Sequence, residues 1–175
     1  GLWSELAGGG DIDMYVQDHG DKLYRRSLYT FWKRAVPPPT MMNFDSAGRE
    51  ACTVRETRTN TPLQALNLMN DVTFVEASRK MAERMMTEGG PTPAERVAYG
   101  YRLATAREPN VARNEVLVNA YHYHLDNYET NRKAALGLVT QGESKRNEEL
   151  DLPELASYTT VASLILNLDE TITKQ

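Results

Sequence analysis

The sequence predicts an all-α protein, an irregular helical domain of six or seven helices with a long irregular N-terminal segment and one long polar loop. Three observations carry that expectation. Apolar residues recur at helical spacing along most of the chain. Proline-containing caps mark several helix starts. No alternating strand pattern competes with them. The 175 residues are 41% hydrophobic and 25% charged, which suits one folded domain over 1–175.

Residues 1–20 read as irregular, broken by Gly8-Gly9-Gly10. From Lys22 to Ala35 the residues Tyr24, Leu28, Phe31 and Ala35 fall at helical spacing, so a helix is expected there, with its aromatic residues in the core. Pro37-Pro38-Pro39 should stop it, because proline lacks the amide donor. A loop is expected from Thr40 to Asn60. Thr61-Pro62-Leu63-Gln64 is a capping box that opens a helix with Leu63, Leu66 and Met69 on one face.

Asp71 should cap the next helix, which carries Phe74, Ala77, Met81 and Met85 and ends at Gly89-Gly90. Thr92-Pro93-Ala94-Glu95 repeats the capping box, ahead of an inward face of Val97, Tyr101 and Ala104. Pro109-Asn110 breaks and re-caps the chain. A long helix follows from Val111 to Tyr128, with Val111, Val118, Tyr121, Leu125 and Tyr128 on one side. Residues 131–140 suit a short helix, and Gly142 to Leu150 a mobile polar loop. Asp151-Leu152-Pro153-Glu154 caps a last helix, apolar on most sides and therefore central.

The net charge of -4 gives no general reason to expect nucleic-acid binding. Charge is uneven, however. Residues 1–21 carry five acids and no Lys or Arg, whereas residues 22–58 carry eight bases and three acids. The simplest expectation is that the two segments pack together and neutralise each other. Cys52 is the only cysteine, so the chain holds no internal disulfide, cysteine-based zinc site or haem-attachment motif. No apolar run approaches the roughly 18 residues of a membrane helix, and membrane insertion is not expected.

The densest polar constellation joins Arg25, Arg26, Asp45, Arg49, Arg55, Arg58, Asn60 and Gln64. Guanidinium forks suit carboxylates, phosphates and sulfates, and unpaired amides at the helix start near Thr61 also favour anions. An anion or sugar-acid site is one reading. A buried structural network, with Arg25 or Arg26 paired to Asp45 or Glu50, is the simpler one. His19 beside Asp18 is a weak candidate base. His122 and His124, two apart on a helix, point about 200° apart. They read as half-buried packing residues with no shared metal. No catalytic motif stands out, and whether the chain is an enzyme stays open.

Leu23 to Arg34, Pro37-Pro38-Pro39, Phe44-Asp45, Arg49 to Cys52, Arg58 to Leu66 with Asn70-Asp71, and Leu166 to Thr171 together carry a resemblance. The chain resembles the planctomycete cytochrome-associated domain of unknown function of the PSD-one type, in its C-terminal portion. One departure is Asp45-Ser46-Ala47-Gly48, where a proline often follows an Asp-Ala pair. The opening at Gly1-Leu2-Trp3 falls inside that family's domain, so an N-terminal portion is expected to precede it.

The resemblance implies an exported parent protein, periplasmic or at the cell surface. It implies partners in other domains of that parent, with haem c in one of those and no cofactor in this chain. It supplies no catalytic residues. Two functional expectations follow. One is a non-catalytic helical interaction module of such a protein, with polysaccharide as a further partner. The other is an enzyme or binding domain for anionic, sulfated or uronic, polysaccharide, with the arginine cluster as anchor and His19 or Asp45 as acid or base.

Overall fold

A computed structural model describes residues 18–30, 32, 37–47 and 59–173, and these contain helices and no strand. The chain divides into two compact units, residues 1–64 and 65–175.

In the first unit two short 3-10 turns, Gly20–Tyr24 and Ser27–Tyr29, replace the first half of the helix expected over Lys22–Ala35. Arg25 and Arg26 lie between them in extended conformation (ψ 148° and 145°). The apolar residues described here are largely exposed: Tyr24 is 52%, Leu28 73% and Tyr29 69% exposed. A short helix without a tertiary contact cannot offset the cost of its first turn. The expected aromatic core is therefore absent at Tyr24 and Tyr29, while Phe31 lies outside the described residues. Pro39 does not end a helix but begins one, α1 (Pro39–Asn43), inside the span expected to be loop. Proline at a first helical position has its φ already set and needs no donor.

Helix α2 (Pro62–Asn70) starts at the end of the first unit and runs into the second. Its capping box forms as predicted: the Thr61 amide donates to Gln64 Oε1 (2.9 Å) and the Gln64 amide to Thr61 Oγ1 (3.3 Å). Its buried positions are Gln64 and Leu68, one turn apart, while Leu63, Leu66 and Met69 stay about half exposed.

The second unit continues with α3 (Val72–Glu88), α4 (Pro93–Thr105), α5 (Val111–Thr130), α6 (Arg132–Val139), α7 (Leu152–Leu166) and α8 (Asp169–Ile172). Starts follow the side chains named from sequence. Asp71 accepts from the Thr73 amide, Thr92 and Glu95 close a full capping box, and Asn110 and Asp151 cap α5 and α7. Asn131 caps α6 in the same way, so the 131–140 segment is a second helix hinged directly on α5.

Helix α7 is central, as its composition requires. It packs against α3, α4, α5, α6 and α8. It buries Leu155, Ala156, Tyr158, Val161, Ala162 and Ile165 completely, beside Ala82, Met85, Val97, Ala135 and Val139. The larger aliphatic side chains among them, such as Leu155, Val161 and Ile165, each contribute roughly 1.5–3 kcal/mol.

The inward face of α3 differs from the expected Phe74-Ala77-Met81-Met85 stripe. Ala77 is exposed, and Glu76, Ser78, Arg79 and Ala82 are buried with Met85. In α5, Val111 is 75% exposed and Leu117 is buried with Tyr121. The reason in both cases is the position of α7, which selects the contact face.

Candidate functional site

The first unit builds a polar hub from three short pieces of chain. Asp45 follows α1 with a positive φ of 57°, a left-handed conformation that aspartate tolerates better than most residues. That turn aims its carboxylate at Thr59. The Thr59 amide donates to Asp45 Oδ2 (2.7 Å), and the Thr59 hydroxyl lies 2.9 and 2.8 Å from the two oxygens. Gln64, 1% exposed, donates from Nε2 to the Asn43 carbonyl (2.7 Å) and to Thr59 Oγ1 (3.2 Å). Its Oε1 is taken by the Thr61 amide. Both ends of Gln64 are thus spent on closing the chain around the start of α2, as a buried amide requires.

Of the predicted arginine cluster, Arg49, Arg55 and Arg58 lie outside the described residues. Arg25 and Arg26 are exposed, and neither joins the Asp45–Thr59–Gln64 hub. Asn60 is exposed next to it. The structure brings Asp45 and Gln64 together through Thr59. Among the described residues, neither Arg25 nor Arg26 pairs with Asp45. Glu50 and Cys52 are outside the described residues, as is most of the acidic segment. Asp18 and Asp21 are exposed and form no ion pair with Lys22, Arg25 or Arg26 among the described residues.

Beside the hub, in the same unit, is an open cavity of about 250 Å³ lined by Ser27, Thr40, Met41, Phe44 and Ser46. Among the described residues no charged side chain lines it. The hydroxyls of Ser27, Thr40 and Ser46 make no hydrogen bond among the described residues. Thr40, Met41 and Ser46 were not singled out from sequence, because isolated hydroxyls in a loop carry no periodic signal.

His19, the candidate base, is exposed at the start of the first 3-10 turn. On α5, His124 is half-buried against Tyr128, whereas His122 is exposed, against expectation. Burial lowers the pKa of His124 below its usual range. Among the described residues no three of His, Cys, Asp and Glu group closely enough to hold a metal.

The second unit holds a denser network that sequence reasoning missed. Arg79 on α3 is fully buried. Its Nη2 donates to the Ser144 carbonyl (2.7 Å) and hydroxyl (2.9 Å), and its Nη1 to Glu83 Oε1 (3.0 Å). Glu76, 3.6 Å from the same guanidinium, accepts from the amides of Glu143 (3.2 Å) and Ser144 (2.6 Å). Glu83 accepts from the Asn147 amide (3.1 Å), and Lys80 reaches the Lys145 carbonyl (2.9 Å).

These bonds pin residues 143–147 onto α3, so the segment expected to be mobile is held at both ends. Positions 76, 79 and 83 share a helix face and could have been read as such. Their partners lie more than sixty residues away, where sequence offers no cue.

Tyrosines dominate the remaining polar core. Tyr121 stacks on fully buried Tyr158 at 4.3 Å between ring centres. Arg96 lies over the Tyr158 ring and pairs with Glu154 at 3.5 Å. Burial raises the pKa of both hydroxyls, so both stay protonated. Arg113 bridges Tyr101 (2.6 Å) and Glu170 (2.7 Å), tying α4, α5 and α8. These groups hold helices to one another and face no cavity described here.

Comparison with known proteins gives one finding. A family model described as PSD1, protein of unknown function (DUF1553), matches residues 5–121. The match ends inside α5, so α6, α7 and the Leu166–Thr171 resemblance fall beyond it. No curated protein and no solved structure matches the chain.

Proposed function

We propose, for a chain that belongs to the PSD1 family of proteins of unknown function (DUF1553), that it serves as a non-catalytic helical interaction module. Its partners are other domains of a larger, exported, c-type-haem-linked parent protein. The observation that carries this reading is the outer face of α2. Leu63 (49%), Leu66 (56%) and Met69 (53%) stand exposed at helical spacing, and Val72 (51%) follows at the start of α3. From Thr59 to Asn70 the chain has no charged residue. Interface centres are depleted of charge and enriched in Met, whose flexible side chain adapts to a partner surface. The occupant that fits is an uncharged, apolar protein surface of a neighbouring domain.

The polar groups support the same reading. Gln64, Asp45 and Thr59 satisfy one another, and Arg79, Glu76 and Glu83 brace a loop. The alternative, an enzyme or binding domain for anionic polysaccharide, draws less support. Arg25 and Arg26 stand apart from the hub, and Asp45, a candidate acid or base, has both carboxylate oxygens engaged by Thr59. The haem of the proposed parent belongs to another domain, since a lone cysteine cannot form the two thioether links of a haem-attachment motif.

A photo-crosslinking residue at position 66 or 69 of the full-length parent tests this. The expected product joins α2 to a segment outside 1–175. Leu66→Glu with Met69→Glu should fold normally and weaken that joining. Cross-links confined to the chain itself would defeat the proposal.

A further inference from the structure

We infer that Met69 makes the outer face of α2 redox-sensitive: a peroxide converts its thioether to the sulfoxide and releases the neighbouring domain, and reduction restores the contact. The inference rests on the interaction reading above and adds the regulation of that face. Between Thr59 and Thr73, Met69 is the only side chain that contains sulfur. It is 53% exposed, one turn beyond Leu66, with Val72 following. Leu63, Leu66 and Val72 are saturated hydrocarbon, which a peroxide does not attack. The soft, polarisable sulfur of Met69 is the reactive atom of the face.

The other described methionines differ in access. Met85 has no exposed surface, and α4 lies so close that a Cβ on Gly100 would be 2.7 Å from its sulfur. Met41, Met81 and Met86 are half-buried. Met42 is 45% exposed, in the first unit. A small dose of peroxide therefore reaches Met69 and Met42 well before Met85.

The reaction balances with hydrogen peroxide as co-reactant. The Met69 sulfur attacks one peroxide oxygen, so an S–O bond forms while the O–O bond breaks. The released hydroxide takes the proton of the transferred hydroxyl and leaves as water. Sulfur loses two electrons and the peroxide gains them. A dithiol reverses the step through a methionine sulfoxide reductase: the oxygen departs as water and the dithiol becomes a disulfide.

The product alters the property on which docking depends. A sulfoxide is polar, where the thioether was apolar. An apolar partner surface returns no donor to its oxygen, so docking would strip that oxygen of water without replacement. The helix itself is spared, because its buried positions are Gln64 and Leu68, on the other side from Met69.

The full-length parent carrying a photo-crosslinking residue at position 66 tests this. It is treated with hydrogen peroxide until mass spectrometry finds Met69 converted and Met85 intact. Cross-links from α2 should then fall about tenfold, the effect of one stranded polar group. Methionine sulfoxide reductase should restore them. Met69→Leu should cross-link normally and ignore peroxide, although Met42 is still oxidised. Met69→Gln, polar and of similar length, should show the loss without peroxide. The inference is overturned by cross-links that persist with Met69 as sulfoxide, by an equal loss in Met69→Leu, or by oxidation of Met85 ahead of Met69. Absence of cross-links before any peroxide defeats the interaction reading and this inference with it, so the two failures are told apart.

Discussion

Replacing Arg79 by methionine removes the buried cation at the centre of the α3 network and keeps most of its volume. In the wild-type protein its guanidinium, with no exposed surface, meets Glu83 at 3.0 Å, Glu76 at 3.6 Å and two oxygens of Ser144 at 2.7 and 2.9 Å. After the change, Glu76 keeps the amides of Glu143 and Ser144 but loses the guanidinium, whereas Glu83 keeps the Asn147 amide and the Lys80 ammonium at 2.8 Å. Breaking a buried pair from one side costs about 3–5 kcal/mol. For a chain of this size that corresponds to a fall in Tm of roughly 6–20 °C.

Thermal and urea unfolding followed by circular dichroism at pH 7 measures the loss, and hydrogen exchange locates it. The amides of Ser144 and Asn147, which donate to Glu76 and Glu83, should exchange faster than those of α7. Adding Glu76→Gln should recover about half of the loss, because the carboxylate that faced the guanidinium is then neutral, while Glu83 stays paired with Lys80. A loss under about 1 kcal/mol for the single variant, or no recovery in the double, would refute the charge argument.

Two further changes test the same unit. Gly142 has φ +89°, and a Cβ there would run into the Glu76 carboxylate. Gly142→Ala should therefore cost about 2–3 kcal/mol by urea titration. Gly137→Ala, inside α6 with open space around it, should be neutral or stabilising by up to about 1 kcal/mol. For His124, burial holds the folded pKa below the usual value of about 6.5. The unfolded chain then takes up the proton first as pH falls. Its contribution to stability is complete above the unfolded pKa and is lost as pH drops through the folded one. His124→Gln should flatten the decline in Tm between pH 7 and 5, and an unchanged slope would contradict the assignment.

Local chemistry was legible where it acts over three or four residues. Thr61 with Gln64, Asp71, Thr92 with Glu95, Asn110 and Asp151 each announced a helix start that the structure contains. The apolar run from Leu155 to Ile165 announced a central helix. Legibility failed over Lys22–Thr30, where a correct periodicity left its described apolar residues largely exposed, and on α3, where Arg79 sits at a buried position. Of the predicted site, Asp45 and Gln64 came together through Thr59. The arginine fork expected to join them was not seen at Arg25 or Arg26, and the hydroxyl-lined cavity gave no warning.

Where helices begin, and which of them is apolar enough to lie at the centre, was written in the sequence itself, because caps and composition work through neighbouring residues. Which face of α3 turns inward, how residues 143–147 are fastened, and which hydroxyls share a cavity were decided only by tertiary structure. Those outcomes depend on groups far apart in the chain, and a buried charge such as Arg79 is tolerable only once its distant partners are in place.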